Sequence, residues 1–343
     1  MDRLLERLAA GPVVCAEGYL FECERRGYLQ AGAYVPEVVL EHPEVVGQLH
    51  REFVHAGSDV VEAFTYYGHR AKLRLIGKED LLEPLNRQAL AIAKDVADET
   101  GALLAGDISN TNVFLPDDEA RREVRAMFDE QSGWAVDAGV DYIIGETFSW
   151  AEEALLALEA INATGLPAVI TLAIHQDPVT RDGLSPEDAC KRLEDAGAAV
   201  VGLNCIRGPR TMMPLLKAVR EACSGHVAGL PVPYRTTEAE PTFQSLRDPG
   251  SDAPPGGRPF PTALDPLGCS RYEIGEFAKE AYSLGIRYLG VCCGAGPHHI
   301  RSLAEALGRT PPASRYSPDM SKHAFLGSHE QVRQEYRDYA SRL

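Results

Sequence analysis

Three cysteines stand where short apolar runs end. Cys205 closes "AVVGLNC" (199–205), and the adjacent Cys292 and Cys293 close "RYLGVCC" (287–293). Neighbouring cysteines are poor disulfide partners for each other, because a disulfide sets its Cα atoms well beyond one peptide spacing. Eight cysteines in 343 residues are also too dilute for a disulfide scaffold, and a reducing compartment keeps them as thiols. Three thiolates together make a soft, electron-rich site. Zinc suits it, with the fourth tetrahedral position left for substrate or water. A free thiol with a pKa of about 8.5 is mostly protonated at neutral pH, and coordination to zinc deprotonates it. Cys15, Cys23, Cys190, Cys223 and Cys269 lie in helical or strand-interior patterns and read as core or surface thiols. His298 and His299 follow Gly296-Pro297 and read as first-turn residues of a helix rather than ligands.

The surrounding pattern says how distant cysteines could meet. Apolar runs recur at 12–18, 59–66, 102–109, 141–147, 167–173, 199–205, 227–233 and 287–293. Amphipathic stretches such as "EVVGQLHREFVHAG" and "AEEALLALEAINATG" lie between them, often closing on Gly, the usual left-handed C-cap. "SPEDACKRL" opens with a Ser N-cap and Pro at the first helical position. Strands that are apolar on both faces and alternate with helices form a parallel sheet. Eight such units predict an α/β fold, a (β/α)8 TIM barrel. In that fold the C-terminal strand ends share one face, so Cys205, Cys292 and Cys293 would emerge together. A doubly wound open sheet is the alternative. It usually carries G-x-G-x-x-G after its first strand, and "CAEGYLFECERRG" has no such pattern.

Two segments break the rhythm. Residues 234–268 are a long Pro/Gly/Ser-rich loop after strand seven, placed as a lid or binding loop would be. The barrel is expected over residues 1–310. Residues 311–343 form a short C-terminal extension ending in a polar helix, "HEQVRQEYRDYASRL", packed on a neighbouring surface.

The formal net charge of −16 argues against nucleic-acid and anionic-membrane partners, which offer no positive charge. No apolar run reaches the length of a membrane span, and "MDRLLERLAAGPVV" is unlike a signal peptide, so the expected location is the cytoplasm. No C-x-x-C, P-loop or H-E-x-x-H occurs.

The segments "ERRGYLQAGAYVPEVVLEHPEVVGQLHREFVHAGSDVVEAFTYYG", "DACKRLEDAGAAVVGLNC" and "AKEAYSLGIRYLGVCCG", with "PHHIRSLAEAL" after the cysteine pair, resemble the homocysteine S-methyltransferases. They are most similar to the betaine–homocysteine methyltransferase branch, and the resemblance runs from about residue 12 to 308. It implies a TIM barrel with one Zn2+ on Cys205, Cys292 and Cys293, and methyl transfer from an onium donor to a homocysteine thiolate, giving methionine. Tyr34 and Tyr67 match two positions of the aromatic cage for the donor cation, where the first is usually Trp. Tyr67 is also implied as the fourth zinc ligand of the empty site. Glu146 matches the carboxylate for the homocysteine ammonium. Thr147 stands where the branch tends to have a donor-contacting Tyr. In "CAEG" the family has Asp-Gly-Gly: Ala16 takes the Asp position, Glu17 a Gly position, and Gly18 is kept, able to offer its backbone N–H to a carboxylate.

Alternative donors within the class are S-methylmethionine or a sulfoniopropionate, and the "CAEG" departure leaves another acceptor thiol open. A barrel metallohydrolase would want several His and Asp at strand ends, such as H-x-H on strand one, and this chain has none there. A zinc or redox thiol sensor without catalysis is the non-enzyme reading, and it would not need Glu146, Tyr34 and Tyr67. The branch's subunit-tying C-terminal arm is mostly missing from this chain, which predicts a monomer or homodimer.

Overall fold

Every apolar run becomes a strand in the computed structural model, which describes residues 3–250 and 257–343. The strands are β1 (Val13–Ala16), β2 (Val60–Glu62), β3 (Leu103–Ser109), β4 (Tyr142–Phe148), β5 (Ala168–Leu172), β6 (Val200–Asn204), β7 (His226–Leu230) and β8 (Tyr288–Val291). They form one eight-stranded parallel sheet in the order β1-β8-β7-β6-β5-β4-β3-β2. Helices fill the intervals, as a (β/α)8 TIM barrel requires.

The β1–β2 seam is closed without a ladder. Asp59 N–H donates to Val14 O at 2.8 Å, and Val14 N–H donates to Asp59 Oδ2 at 2.8 Å. The Arg309 guanidinium grips both oxygens of the same carboxylate, tying the chain beyond the last barrel helix to the seam.

Alternate residues of each strand face the barrel interior. Val13, Cys15, Val60, Leu103, Ala105, Tyr142, Ile144, Val169, Val200, Ala228, Leu230 and Tyr288 form that inner core. Leu4 and Leu8 of the helix Arg3–Ala10 join it and plug the end where the strands begin. The opposite strand parity, such as Val14, Ala16, Val61 and Ile143, packs against the helices in the larger outer core.

Local signals set the helix ends. Ser185 caps Pro186–Asp195 through Asp188 N–H. Ser270 and Glu273 form a capping box at Arg271–Ser283. Gly165 ends Ala151–Thr164 at φ 78, in the left-handed region that costs glycine little. His299 closes the first turn of Pro297–Ala306: its Nδ1 accepts from Gly296 N–H at 3.1 Å, and its Nε2 lies 3.2 Å from Cys269 O. It is a helix-capping residue rather than a ligand.

The long loop after β7 folds back rather than standing free. Thr236, Thr242, Phe243 and Leu246 are buried. Residues 251–256 of that loop lie outside the described residues. In the C-terminal extension the helix spans only Gln334–Ala340, shorter than the pattern predicts, because residues 329–332 are held in a turn by Val332 N–H on His329 O. That helix buries none of its residues. Among the described residues no helix is long and apolar enough to cross a membrane.

Candidate active site

The sulfurs of Cys205, Cys292 and Cys293 lie within 4.8 Å of one another. Their positions come from the sheet. Cys205 N–H donates to Leu230 O at 2.9 Å, extending the β6–β7 ladder by one residue, and Cys292 N–H donates to Pro231 O at 2.9 Å. Cys205 and Cys292 are buried, while Cys293 is partly exposed. Hydrogen bonds from the Cys292 and Cys293 thiols hold Cys205 well below the usual thiol range. Burial raises Cys292, and the bond to Cys205 raises Cys293. Tetrahedral zinc with thiolate bonds of about 2.3 Å separates its sulfurs by about 3.8 Å. The three thiols fit that demand, and the donor set is the soft one zinc accepts. Cys23, Cys190, Cys223 and Cys269 stand apart from this trio and are buried, and Cys15, also buried, places its sulfur within 4.8 Å of an oxygen of Glu17 and of Glu62.

Beside the thiols the barrel interior turns acidic. Glu62 on β2, Asp107 on β3 and Glu146 on β4 each follow an inward apolar residue by two positions. Glu17 joins them. Its N–H donates to Val291 O at 3.1 Å, carrying the β1 alignment one residue past Ala16. Its side chain therefore takes the parity of Cys15 and faces the interior, while Ala16 packs towards the helices. A carboxylate thus stands in the interior at Glu17, one residue along from Ala16. Gly18 follows at a close approach: a Cβ there would stand 2.3 Å from Ala295 O.

Asn204, just before Cys205, organises this floor. Its Nδ2 donates to Glu146 Oε2 at 2.6 Å and to Glu17 Oε2 at 3.3 Å, and its Oδ1 accepts from Thr147 N–H at 3.0 Å. Burial raises Glu17 to about 7, opposed by its bond from Asn204. Burial raises Glu62, Asp107 and Glu146 well above the ordinary range, and the like charge of Glu17 raises each of them further. A cavity of about 20 Å³ lies among Glu17, Tyr19, Glu62, Asp107, Glu146, Cys292 and Cys293. An open groove of about 820 Å³, along the helices Pro209–Ala222 and Arg271–Ser283, is lined by none of the three thiols.

Backbone strain concentrates here. Tyr34 (φ 57), Tyr67 (φ 60), Thr147 (φ 63), Cys205 (φ 55) and Ile206 (φ 58) all occupy the left-handed region. It is unfavourable for non-glycine residues, most of all the β-branched Thr147 and Ile206. The Tyr34 ring stacks on Phe21 at 6.2 Å, and Phe21 stacks on Phe243 of the long loop at 6.0 Å. Tyr67 packs against Tyr66 at 4.3 Å. Lys72 Nζ stands 3.8 Å from the Tyr67 ring centroid, so one face of that ring already carries a cation.

Glu62, Asp107, Asn204, Phe21 and Phe243 escaped the sequence reading. Glu62 and Asp107 left a trace: an acid placed two residues after an inward apolar one, inside a run otherwise apolar. Asn204 left only its adjacency to Cys205. Phe21 and Phe243 left none, since packing alone makes them a wall.

A family model described as Homocysteine S-methyltransferase matches residues 22–307. Betaine–homocysteine S-methyltransferase 1 of Rattus norvegicus is 38% identical over 340 residues, covering 95% of this chain and 79% of that protein. The S-methylmethionine–homocysteine S-methyltransferase BHMT2 of Rattus norvegicus is 37% identical over 335 residues, covering 95% and 86%. The homocysteine methyltransferase MmuM from Escherichia coli, in its metallated form, shares the fold with a TM-score of 0.67 at 17% identity, covering 88% of this chain and 98% of that one. The clustered thiols and the inward carboxylates thus sit in a chain whose sequence matches one family over most of its length: the protein is a methyltransferase of the homocysteine S-methyltransferase family.

Proposed function

We propose that this protein methylates the thiol of homocysteine, giving methionine, with Zn2+ held by Cys205, Cys292 and Cys293. The observation that carries the proposal is the convergence of three sulfurs from the ends of β6 and β8 within 4.8 Å. Zinc, when bound, supplies the Lewis acidity that keeps an acceptor thiol ionised at neutral pH. The protein's part is positioning. Glu146 holds the acceptor's ammonium, with Glu17 beside it, both braced by Asn204. Gly18 lets the chain pass close to Ala295 and offers its N–H to the acceptor carboxylate. The acceptor sulfur then attacks a methyl carbon of the donor. A new S–CH3 bond forms, the bond to the donor's nitrogen or sulfur breaks, and the electron pair leaves with a now neutral amine or thioether.

The donor's positive charge vanishes in that step, so its site must hold a cation weakly. Tyr34, backed by Phe21, offers an aromatic face for it. Tyr67 offers the face not covered by Lys72. The donor is a betaine-like quaternary ammonium. S-methylmethionine and sulfoniopropionates remain in the class, since betaine- and S-methylmethionine-using relatives match at nearly equal identity. We assign residues 1–310 to the catalytic barrel and 311–343 to an extension. The protein works in the cytoplasm on small molecules, as a monomer or homodimer. Methionine formation from homocysteine with glycine betaine, a cyclic betaine, S-methylmethionine and dimethylsulfoniopropionate tests the proposal. Turnover with none of them by the zinc-loaded protein would overturn it.

A further inference from the structure

The barrel interior holds more acid than one amino-acid acceptor explains. Glu17, Glu62, Asp107 and Glu146 are each at most 6% exposed. Asn204 donates to Glu17 and Glu146. Glu62 has no hydrogen-bond partner on either oxygen, and Asp107 has none on Oδ1. The charged neighbours that bear on Glu62 are Glu17, Glu146 and Asp107, all acidic. Buried carboxylates without donors or a counter-ion are costly as anions and hold protons instead, which a bound cation displaces. A second polar group points the same way. The Tyr19 hydroxyl, on a side chain 3% exposed, also lacks a partner and lines the same cavity.

The geometry selects the kind of cation. Glu62, Asp107 and Glu146 each place one oxygen within 4.8 Å of the other two. A primary ammonium has three N–H donors in tetrahedral directions. Three carboxylate oxygens at about 2.8 Å from such a nitrogen stand about 4.6 Å apart. The cavity of about 20 Å³ has room for one water-sized group, hence for an ammonium head. A quaternary ammonium is too bulky for it and has no N–H to offer.

We infer that Glu62 and Asp107, together with Glu146, form a three-carboxylate receptor for the primary ammonium of the acceptor. The receptor makes the enzyme select amino-acid thiols over simple thiols, and it keeps the onium donor out of the acceptor's place. The inference rests on the proposed acceptor site but adds two specificity-determining residues to it. It also separates the two cations of the reaction by chemistry: N–H donors go to the acids and methylated onium groups to the aromatic wall.

The test is calorimetric binding of L-homocysteine and of 4-mercaptobutyrate, the same thiol without its amino group, to the full zinc-loaded chain. Wild type should prefer homocysteine. Glu62→Gln and Asp107→Asn keep shape and lose charge, and each should lower the homocysteine preference roughly ten-fold, the usual cost of a lost charge-assisted hydrogen bond. Zinc content should stay at one ion per chain in both variants. An unchanged preference in both variants overturns the inference, as does a wild type that binds the two thiols equally. A second metal ion per chain that disappears in the variants would also overturn it, assigning the three oxygens to an inorganic cation. Binding is read without a donor. If selective homocysteine binding persists while no onium compound supplies a methyl group, the proposed reaction fails and the receptor stands.

Discussion

Asn204 Nδ2 donates to Glu146 Oε2 at 2.6 Å, joining β6 to β4 across the barrel interior, one residue before the clustered thiol Cys205. The same strand end therefore sets both the Cys205 sulfur and the Glu146 carboxylate. Asn204→Leu should remove the amide donor from Glu17 and leave Glu146 only the Thr147 hydroxyl, raising the acceptor KM about ten-fold or more, the cost of a lost bond to a charged group. Zinc content should not change. Acceptor and donor KM measured in parallel would decide: a loss confined to the donor would sink the positioning role.

The metal prediction is direct. Protein purified with its metal should carry about one zinc per chain, the stoichiometry of a three-thiolate site with one open position. Cys205→Ser, Cys292→Ser and Cys293→Ser should each strip zinc and methyl transfer together. Cys190→Ser and Cys223→Ser, in packing positions outside the trio, should keep the metal. Elemental analysis beside activity checks this. Full methyl transfer by metal-free protein would end the zinc assignment.

Donor binding should depend on the aromatic wall. A cation–π contact at a desolvated site is worth about 2 kcal/mol, so Tyr34→Ala should weaken donor affinity on the order of thirty-fold. Tyr34→Trp should be tolerated. Lys72 stands on the Tyr67 ring, and Lys72→Met should uncover that face and strengthen binding of the donor that the wild type uses best. Donor KM values across the onium panel give the readout. Unchanged donor KM in both Tyr34→Ala and Tyr67→Ala would remove the cage.

Acid stability should carry the signature of His50. This side chain is fully buried beside Tyr19, neither ring nitrogen has a partner, and burial lowers its pKa to about 3. In the unfolded chain it takes a proton near pH 6.5, so between about pH 6.5 and 3 the unfolded state binds more protons than the native one. The contribution is whole above about pH 6.5 and is lost as pH falls, at up to about 1.4 kcal/mol per pH unit. His50→Leu should flatten the acid limb by that one-proton slope in denaturant titrations from pH 4.5 to 7.5. An unaltered slope would mean that His50 protonates in the folded state.

The sequence by itself determined the eight strands, because runs apolar on both faces, separated by capped amphipathic helices, have few ways to fold other than a parallel barrel. It also determined that Cys205, Cys292 and Cys293 stand at strand ends, since strand boundaries are written locally. Only the tertiary structure decided that Glu17, Glu62, Asp107 and Glu146 share one cavity. Strand periodicity tells which face a residue takes, but the stagger between neighbouring strands tells which residues of eight strands reach the same height. That stagger emerges when the sheet closes, with Asp59 bridging Val14 and Arg309 at the seam. The turn of Glu17 into the interior, one residue along from Ala16, is decided there too, by its backbone bond to Val291.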